Sequence, residues 1–221
     1  MSIDTAKNIN CRVEDLGLID YLTAYQYQQE CVEKVRQKGR GFLILCEHPA
    51  VLTLGRMTKK DNLLKPANEI LDQGVNIHNI DRGGDVTLHS PGQLVIYPIF
   101  DLTLYGKDLH AFLHKLEQLA IDLLNDFDIV ATRFSGRTGV WVGNRKIVSM
   151  GIGVRKWISY HGLAINVNTD LKFFNLIRPC GLEVQMTSMA EIKNKFIPIN
   201  SVKERMIEHF CKNFNLTKEL S

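Results

Sequence analysis

Three short segments hold residues whose types and neighbours could do chemistry. In Ile177-Arg178-Pro179-Cys180-Gly181 a cysteine is fixed between a proline, which restrains the chain before it, and a glycine, which leaves one side open. Cys31, Cys46 and Cys211 differ, because they sit inside helical or strand patterns where a small apolar residue would do as well. In Arg145-Lys146-Ile147-Val148-Ser149-Met150-Gly151-Ile152-Gly153 a lysine enters a strand that soon becomes glycine-rich. If Ile147 faces the core, alternation puts Lys146 on the other face, as an exposed lysine beside a turn unless a partner gives it work. In Asp81-Arg82-Gly83-Gly84-Asp85-Val86-Thr87-Leu88-His89 a glycine pair precedes one imidazole. Adjacent glycines let a ligand approach the main chain, and successive free N–H groups there could form an anion-binding nest. The alternative is an ordinary glycine turn with His89 as a hydrogen-bonded sheet residue.

Charge adds a fourth feature. Between Asp128 and Asp170 there is no carboxylate, whereas Arg133, Arg137, Arg145, Lys146, Arg155 and Lys156 all occur. Such a stretch favours docking of an acidic partner. A formal net charge of +3 over the chain is too small to demand a nucleic-acid partner, and the aromatics that a single-strand platform would interleave are sparse.

The elements that must position these residues follow from periodicity. Leu22 to Lys38, free of Gly and Pro and stopped by Gly39, predicts a helix with a glycine cap. The run Phe-Leu-Ile-Leu-Cys-Glu-His-Pro-Ala-Val-Leu-Thr-Leu predicts two short strands around His48-Pro49, and the polar segment from Met57 to Asn68 predicts a long surface loop. From Leu109 to Phe127 the apolar residues follow helical spacing closely. Thr138 to Val167 instead alternates, with Gly143-Asn144 as a hairpin turn. Ser201 and Glu204 stand in capping-box spacing ahead of a last helix through Phe214. The expected class is α/β or α+β, a mixed sheet flanked by helices.

At 221 residues and 45% hydrophobic content the chain can bury a substantial core, and one domain over residues 1–221 is the expectation. Five cysteines without a CxxC pair suggest neither a disulfide framework nor a zinc ribbon, so reduced thiols are expected and no metal site. The N-terminus Met-Ser-Ile-Asp-Thr-Ala-Lys has no signal-peptide core, and no apolar run is long enough to span a bilayer. The expected compartment is the cytoplasm, with no membrane partner.

Three segments in this order, RGGDVTLHSPGQLVIYP, TGVWVGNRKIVSMGIGVRKWISYHGLAINV and IRPCGL, resemble the signature segments of the lipoyl(octanoyl) transferase family. The resemblance runs from about Phe42 to Ile192. Departures are small: Asp85 replaces a more usual Glu or Gln, Leu88 an aromatic, and Ser90 a frequent Gly. The resemblance implies the fold of biotin and lipoate protein ligases. It implies transfer of an octanoyl or lipoyl group from acyl carrier protein to a specific lysine of lipoyl domains, in 2-oxoacid dehydrogenases and the glycine cleavage H protein. It also implies that neither ATP nor a metal is required.

By the same resemblance Cys180 is the nucleophile that forms an acyl-thioester, and Lys146 is its partner. A free thiol is only a few per cent thiolate at neutral pH and needs activation. Lys146 could act as an ammonium that stabilises the thiolate or as a desolvated amine that takes its proton. Arg82, Gly83, Gly84, Asp85, Val86, Thr87, Leu88 and His89, then Ser149, Met150 and Gly151, then Gly162, Leu163 and Ala164, are implied to line the substrate site, with His89 positioning the thioester or Lys146. The eight-carbon chain carries about six methylenes, whose burial could supply roughly 5 kcal/mol, so a narrow apolar tunnel is expected. Two other readings exist: an ATP-dependent lipoate or biotin ligase, which needs no cysteine, and a non-catalytic module that binds carrier protein. The absence of a P-loop pattern and of a GRGRxG-type loop speaks for the transferase.

Overall fold

Alternate residues of a strand leave on opposite faces, so the continuous apolar run at Gly41–Glu47 demands cover on both sides. The computed structural model describes residues 8–178 and 184–219 and shows that cover. In chain order the strands are β1 (Ile9–Leu18), β2 (Gly41–Glu47), β3 (Val51–Leu54), β4 (Asn76–Asn79), β5 (Val86–His89), β6 (Gln93–Ile99), β7 (Thr132–Phe134), β8 (Arg137–Val142), β9 (Arg145–Arg155), β10 (Ile158–Asn166) and β11 (Leu216–Glu219). The α-helices are α1 (Tyr21–Lys38), α2 (Ala67–Leu71), α3 (Leu109–Asp126), α4 (Met189–Lys193) and α5 (Ile199–Phe214).

Leu43 and Leu45 of β2 point to one side, where they share a core with Leu116, Leu119 and Leu123 of α3 and Met206, Phe210 and Phe214 of α5. Ile44 and Cys46 point to the other, against Ala24, Cys31, Val32 and Val35 of α1. Among the described residues the large sheet has eight strands in the order β11-β1-β2-β6-β10-β9-β8-β7, parallel at β11-β1-β2 and antiparallel from β2 onward. A smaller sheet, β4-β3-β5, has its own core of Leu52, Val86 and Leu88 with Ile70, Val75 and Phe174. This is the mixed, helix-flanked sheet expected from the sequence.

Local signals were mostly sufficient. The Asp20 carboxylate caps the first turn of α1 by accepting from Thr23 N–H (3.0 Å), and Gly39 ends the helix in the left-handed region. The Gly143-Asn144 turn joins β8 to β9. Two expectations need correction. The segment from Met57 to Asn68 is not all loop, because a 3-10 turn forms at Lys60–Asn62 and α2 starts at Ala67. The last helix begins at Ile199, before Ser201, whose N–H is already bonded to the Pro198 carbonyl (3.1 Å). The capping serine that the fold does use for this purpose is Ser188, whose Oγ accepts from Glu191 N–H (3.1 Å) to start α4.

Candidate active site

The small sheet meets the large one where glycines permit contact closer than side chains would allow. Gly83 N–H donates to the Ile152 carbonyl of β9 (3.1 Å). A Cβ on Gly151 would lie 2.6 Å from the Gly83 carbonyl oxygen and 2.9 Å from Arg82 Cδ. These glycines therefore serve backbone-to-backbone packing first. The nest of free N–H groups expected at Gly83-Gly84 is not formed as such, because the Gly83 donor is already used within the protein.

Beside this seam lies a cavity of about 590 Å³, within the range of small-molecule sites. Lys146, Arg82 to Thr87, His89, Ser149 to Gly151 and Gly162 to Ala164 all line it. Leu88 does not: it is fully buried in the core of the small sheet, where it pairs with Leu52 in the register of β3 and β5. Cys180 lies outside the described residues.

Lys146 is only 3% exposed. Alternation does separate it from Ile147, but it is buried all the same: residues 184–187 pair with its backbone as a further strand-like segment, and Gly139 and Trp141 of β8 lie against its side chain. Lys146 N–H donates to the Gln185 carbonyl (2.8 Å), and Thr187 N–H donates to the Lys146 carbonyl (2.9 Å). Room for the side chain comes from Gly139 on β8, where the pairing with β9 shifts register at Val140/Trp141. Gly139 has φ +126°, and a Cβ there would lie 2.6 Å from Lys146 Cε and 3.1 Å from Nζ. Glu117 of α3 fixes this point by accepting the Gly139 N–H (2.9 Å), while Arg133 pairs with the same carboxylate (3.2 Å). Lys146 Nζ stands 5.5 Å from the centre of the Trp141 ring, on a face that suits an ammonium.

Arg82 holds its own loop in shape. Its guanidinium donates to the carbonyls of Gly83 (2.8 Å), Asp85 (2.6 Å) and Thr53 (3.1 Å). The Asp85 carboxylate accepts from Asn62 Nδ2 (2.5 Å) and Val86 N–H (2.7 Å), so the segment first read as loop reaches into the site.

Two imidazoles, His89 and His161, line the cavity, and a third, His48, packs edge-on against His89. His89 is buried, hydrogen-bonded at Nδ1 to Gln93 Oε1 (2.7 Å), and burial pushes its pKa down to about 3, with His48 nearby acting the same way. His48, also lowered by burial, bridges the Ile19 carbonyl at Nδ1 and the Tyr97 hydroxyl at Nε2 (2.8 Å each). His161, lowered by burial too, contacts Asp81 through Nε2 (3.0 Å). That carboxylate also accepts from Tyr25 (3.0 Å) and Tyr160 (2.6 Å), and these hydrogen bonds, led by His161, hold it far below the usual carboxylate range.

The basic stretch divides on inspection. Arg133 is tied to Glu117 and Arg145 to Glu191 (3.0 Å), whereas Arg137 lines the cavity together with Lys59. Tyr21, Tyr97 and His161 carry no local marker in the sequence, whereas Gly139 and Trp141 do. The available hint was the pattern Thr-Gly-Val-Trp-Val, a glycine inside a strand, which signals a bulge or a close approach.

Among the described residues no group of three His, Cys, Asp or Glu side chains is placed to hold a metal ion, and no helix is long and apolar enough to cross a membrane. Residues 20–211 match the lipoyl protein ligase A/B catalytic domain family. An octanoyltransferase of Solibacter usitatus is 43% identical over 93% of this chain and 94% of its own. One from Desulforamulus reducens is 41% identical over 94% and 92%. Among solved structures, the bi-partite lipoate protein ligase of Thermoplasma acidophilum superposes with TM-score 0.77 at 14% identity, covering 97% of this chain and 87% of that one. The biotin protein ligase of Aquifex aeolicus, with biotin and ATP, gives TM-score 0.56 at 13% identity over 92% and 70%. These two likenesses are likenesses of fold.

Proposed function

The chain belongs to the lipoyl protein ligase A/B catalytic domain family and, within it, to the octanoyltransferases, and on that premise we propose that it moves an octanoyl group from an acyl carrier protein thioester to a lysine of lipoyl domains. Lipoyl domains of 2-oxoacid dehydrogenases and the glycine cleavage H protein are the acceptors in this reading, and Cys180 carries the acyl group between the two proteins. The observation that carries it is a buried lysine in a cavity, with its backbone bonded to Gln185 and Thr187, which lie five and seven positions after Cys180 in the chain.

In the first half-reaction the Cys180 sulfur attacks the donor carbonyl, a new C–S bond forms, the carrier's C–S bond breaks, and the carrier thiol leaves with a proton. Lys146 assists by stabilising the thiolate or by moving that proton. In the second the acceptor amine attacks the Cys180 thioester, the amide forms, Cys180 is released, and the amine's proton passes to Lys146. Exchange of thioesters is nearly energy-neutral and amide formation is downhill, so the sequence of steps needs neither ATP nor a metal. The apolar walls given by Val95, Met150, Ile152, Leu163 and Ala164 suit a hydrocarbon chain, and Arg137 with Lys59 suits the approach of an acidic carrier.

The test is reconstitution without ATP. Octanoyl-carrier protein, an unmodified lipoyl domain and this enzyme should yield a lipoyl domain heavier by one octanoyl group, with the mass on its lysine. Modification that requires ATP and free octanoate would replace this reading with a ligase.

A further inference from the structure

Two buried side-chain amides join the small sheet to the 184–187 segment that pairs with Lys146. Gln93 opens β6 and Asn166 ends β10, directly opposite it in the antiparallel register, and both are 1% exposed. Asn166 Nδ2 donates to the Thr187 carbonyl (2.9 Å). Gln93 Nε2 donates to the Leu88 carbonyl (3.2 Å) and to Asn166 Oδ1 (2.9 Å). Gln93 Oε1 faces His89 Nδ1 at 2.7 Å.

The direction of every bond in this chain is fixed by its ends. A backbone carbonyl can only accept, so Asn166 must present its NH₂ to Thr187 and its oxygen to Gln93. Gln93 must then turn its NH₂ toward Leu88 and Asn166, which leaves its oxygen for His89. That oxygen accepts, so Nδ1 of His89 carries a hydrogen. Among the described residues no carboxylate is hydrogen-bonded to the ring to hold a second proton. Tyr21 of α1 stacks on it (5.9 Å between centres), His48 meets it edge-on (5.7 Å), and Arg82 and His161 act on it as positive charges would. The imidazole is neutral, and its Nε2 makes no hydrogen bond among the described residues although the side chain lines the cavity.

We propose that the Gln93–Asn166 pair is a polarity relay that locks His89 with its hydrogen on Nδ1 and a bare lone pair on Nε2, and that this lone pair accepts an N–H of the attacking lysine amine. The inference rests on the transfer reading. A neutral imidazole of this tautomer has no hydrogen to give a thioester oxygen, so His89 is not a donor to the developing oxyanion. It is also too weak a base to keep the amine's proton, which leaves His89 to orient the nucleophile while Lys146 receives the proton. Gln93 and Asn166 are positioning residues. Through the Thr187 carbonyl and the Thr187 N–H to Lys146, the same relay sets the height of the Lys146 strand relative to His89.

The decisive measurement is the imidazole ¹⁵N spectrum of histidine-labelled enzyme, paired with separate rates for acylation of Cys180 and for transfer to the lipoyl domain. Wild type should show His89 with a protonated Nδ1 and a lone-pair Nε2 from pH 5 to 8. Gln93→Glu places a carboxylate on Nδ1 and should convert His89 to imidazolium near neutral pH. Transfer should then fall at least tenfold while acylation stays within about threefold, with recovery at alkaline pH. Asn166→Asp, which can no longer donate to the Thr187 carbonyl, should lower both rates without protonating His89. An Nε2–H tautomer or an imidazolium in wild type would overturn the relay, and that spectrum is readable even if a variant fails to fold. Equal loss of both rates in Gln93→Glu, without a change in the His89 signal, would reduce Gln93 to a packing residue and also overturn it. A wild-type enzyme with the expected spectrum that acylates no lysine would sink the transfer reading and, with it, the amine as the donor to Nε2.

Discussion

Replacing Gly139 by alanine tests whether the β8 irregularity exists to make room for Lys146. The added Cβ would stand 2.6 Å from Lys146 Cε and 2.6 Å from the Val148 carbonyl oxygen. Ordinary van der Waals contact begins at 3.4 Å, so both contacts must open by roughly 1 Å. The Val148 carbonyl belongs to the antiparallel pair β9/β10 and cannot move cheaply, so β8 must shift away from it at residue 139 while the flexible lysine side chain gives way as well. A φ of +126° adds strain of about 1 to 3 kcal/mol for a residue with a Cβ. Together these predict a loss of stability of about 2 to 4 kcal/mol and, because a 1 Å misplacement of a reacting group can cost about 10²-fold, a similar fall in kcat. Equilibrium denaturation and steady-state octanoyl transfer, run where the variant is folded, give the two numbers. A folded Gly139→Ala enzyme with wild-type kcat would refute the idea that Gly139 positions Lys146.

Acid should weaken the fold. His89 is held neutral to about pH 3, whereas in the unfolded chain it takes a proton near 6.5, so the unfolded state binds more protons throughout that window and stability falls as pH drops through it. From pH 7 to pH 5 His89 alone should cost about 2 kcal/mol, and His48 and His161, both lowered by burial, act in the same direction; a denaturation midpoint that is unchanged or higher at pH 5 would contradict this. Charge reversal at Arg137, which lines the cavity, should raise the apparent KM for carrier protein several-fold and leave kcat nearly unaltered, with a smaller effect at Arg155; an equal or larger effect at Arg155 would move the docking face. Donors of six, eight and ten carbons should differ in kcat/KM by about 1 to 3 kcal/mol per methylene step, and equal rates would remove the apolar tunnel from the account.

Much of the architecture is written in local pattern. The helix that ends at Gly39, the helical spacing of Leu109 to Phe127 and the turn at Gly143-Asn144 each depend on neighbours in sequence, and each was legible. What the sequence could not display is contact between remote segments. The burial of Lys146 depends on Gly139 and Trp141 of β8 and on the 184–187 segment lying beside β9, and the exclusion of Leu88 from the cavity depends on its packing with Leu52 in the core of the small sheet. The hairpin turn at Lys156 and Trp157 places two non-glycine residues at positive φ (49° and 64°), which residue type does not announce. Likewise Ser201 and Ser188 both precede a glutamate at capping-box spacing, and only packing decides that Ser188 is the cap.

Transfer by this mechanism requires that Cys180 carry the acyl group. Intact-protein mass spectrometry after mixing with octanoyl-carrier protein, without ATP, addresses this directly for wild type and Cys180→Ala. The account predicts a gain of one octanoyl group on wild type that hydroxylamine removes, and no gain on the variant. Lysine transfer at the wild-type rate by Cys180→Ala would contradict it, and so would a wild-type enzyme that stays unmodified while it acylates lipoyl domains.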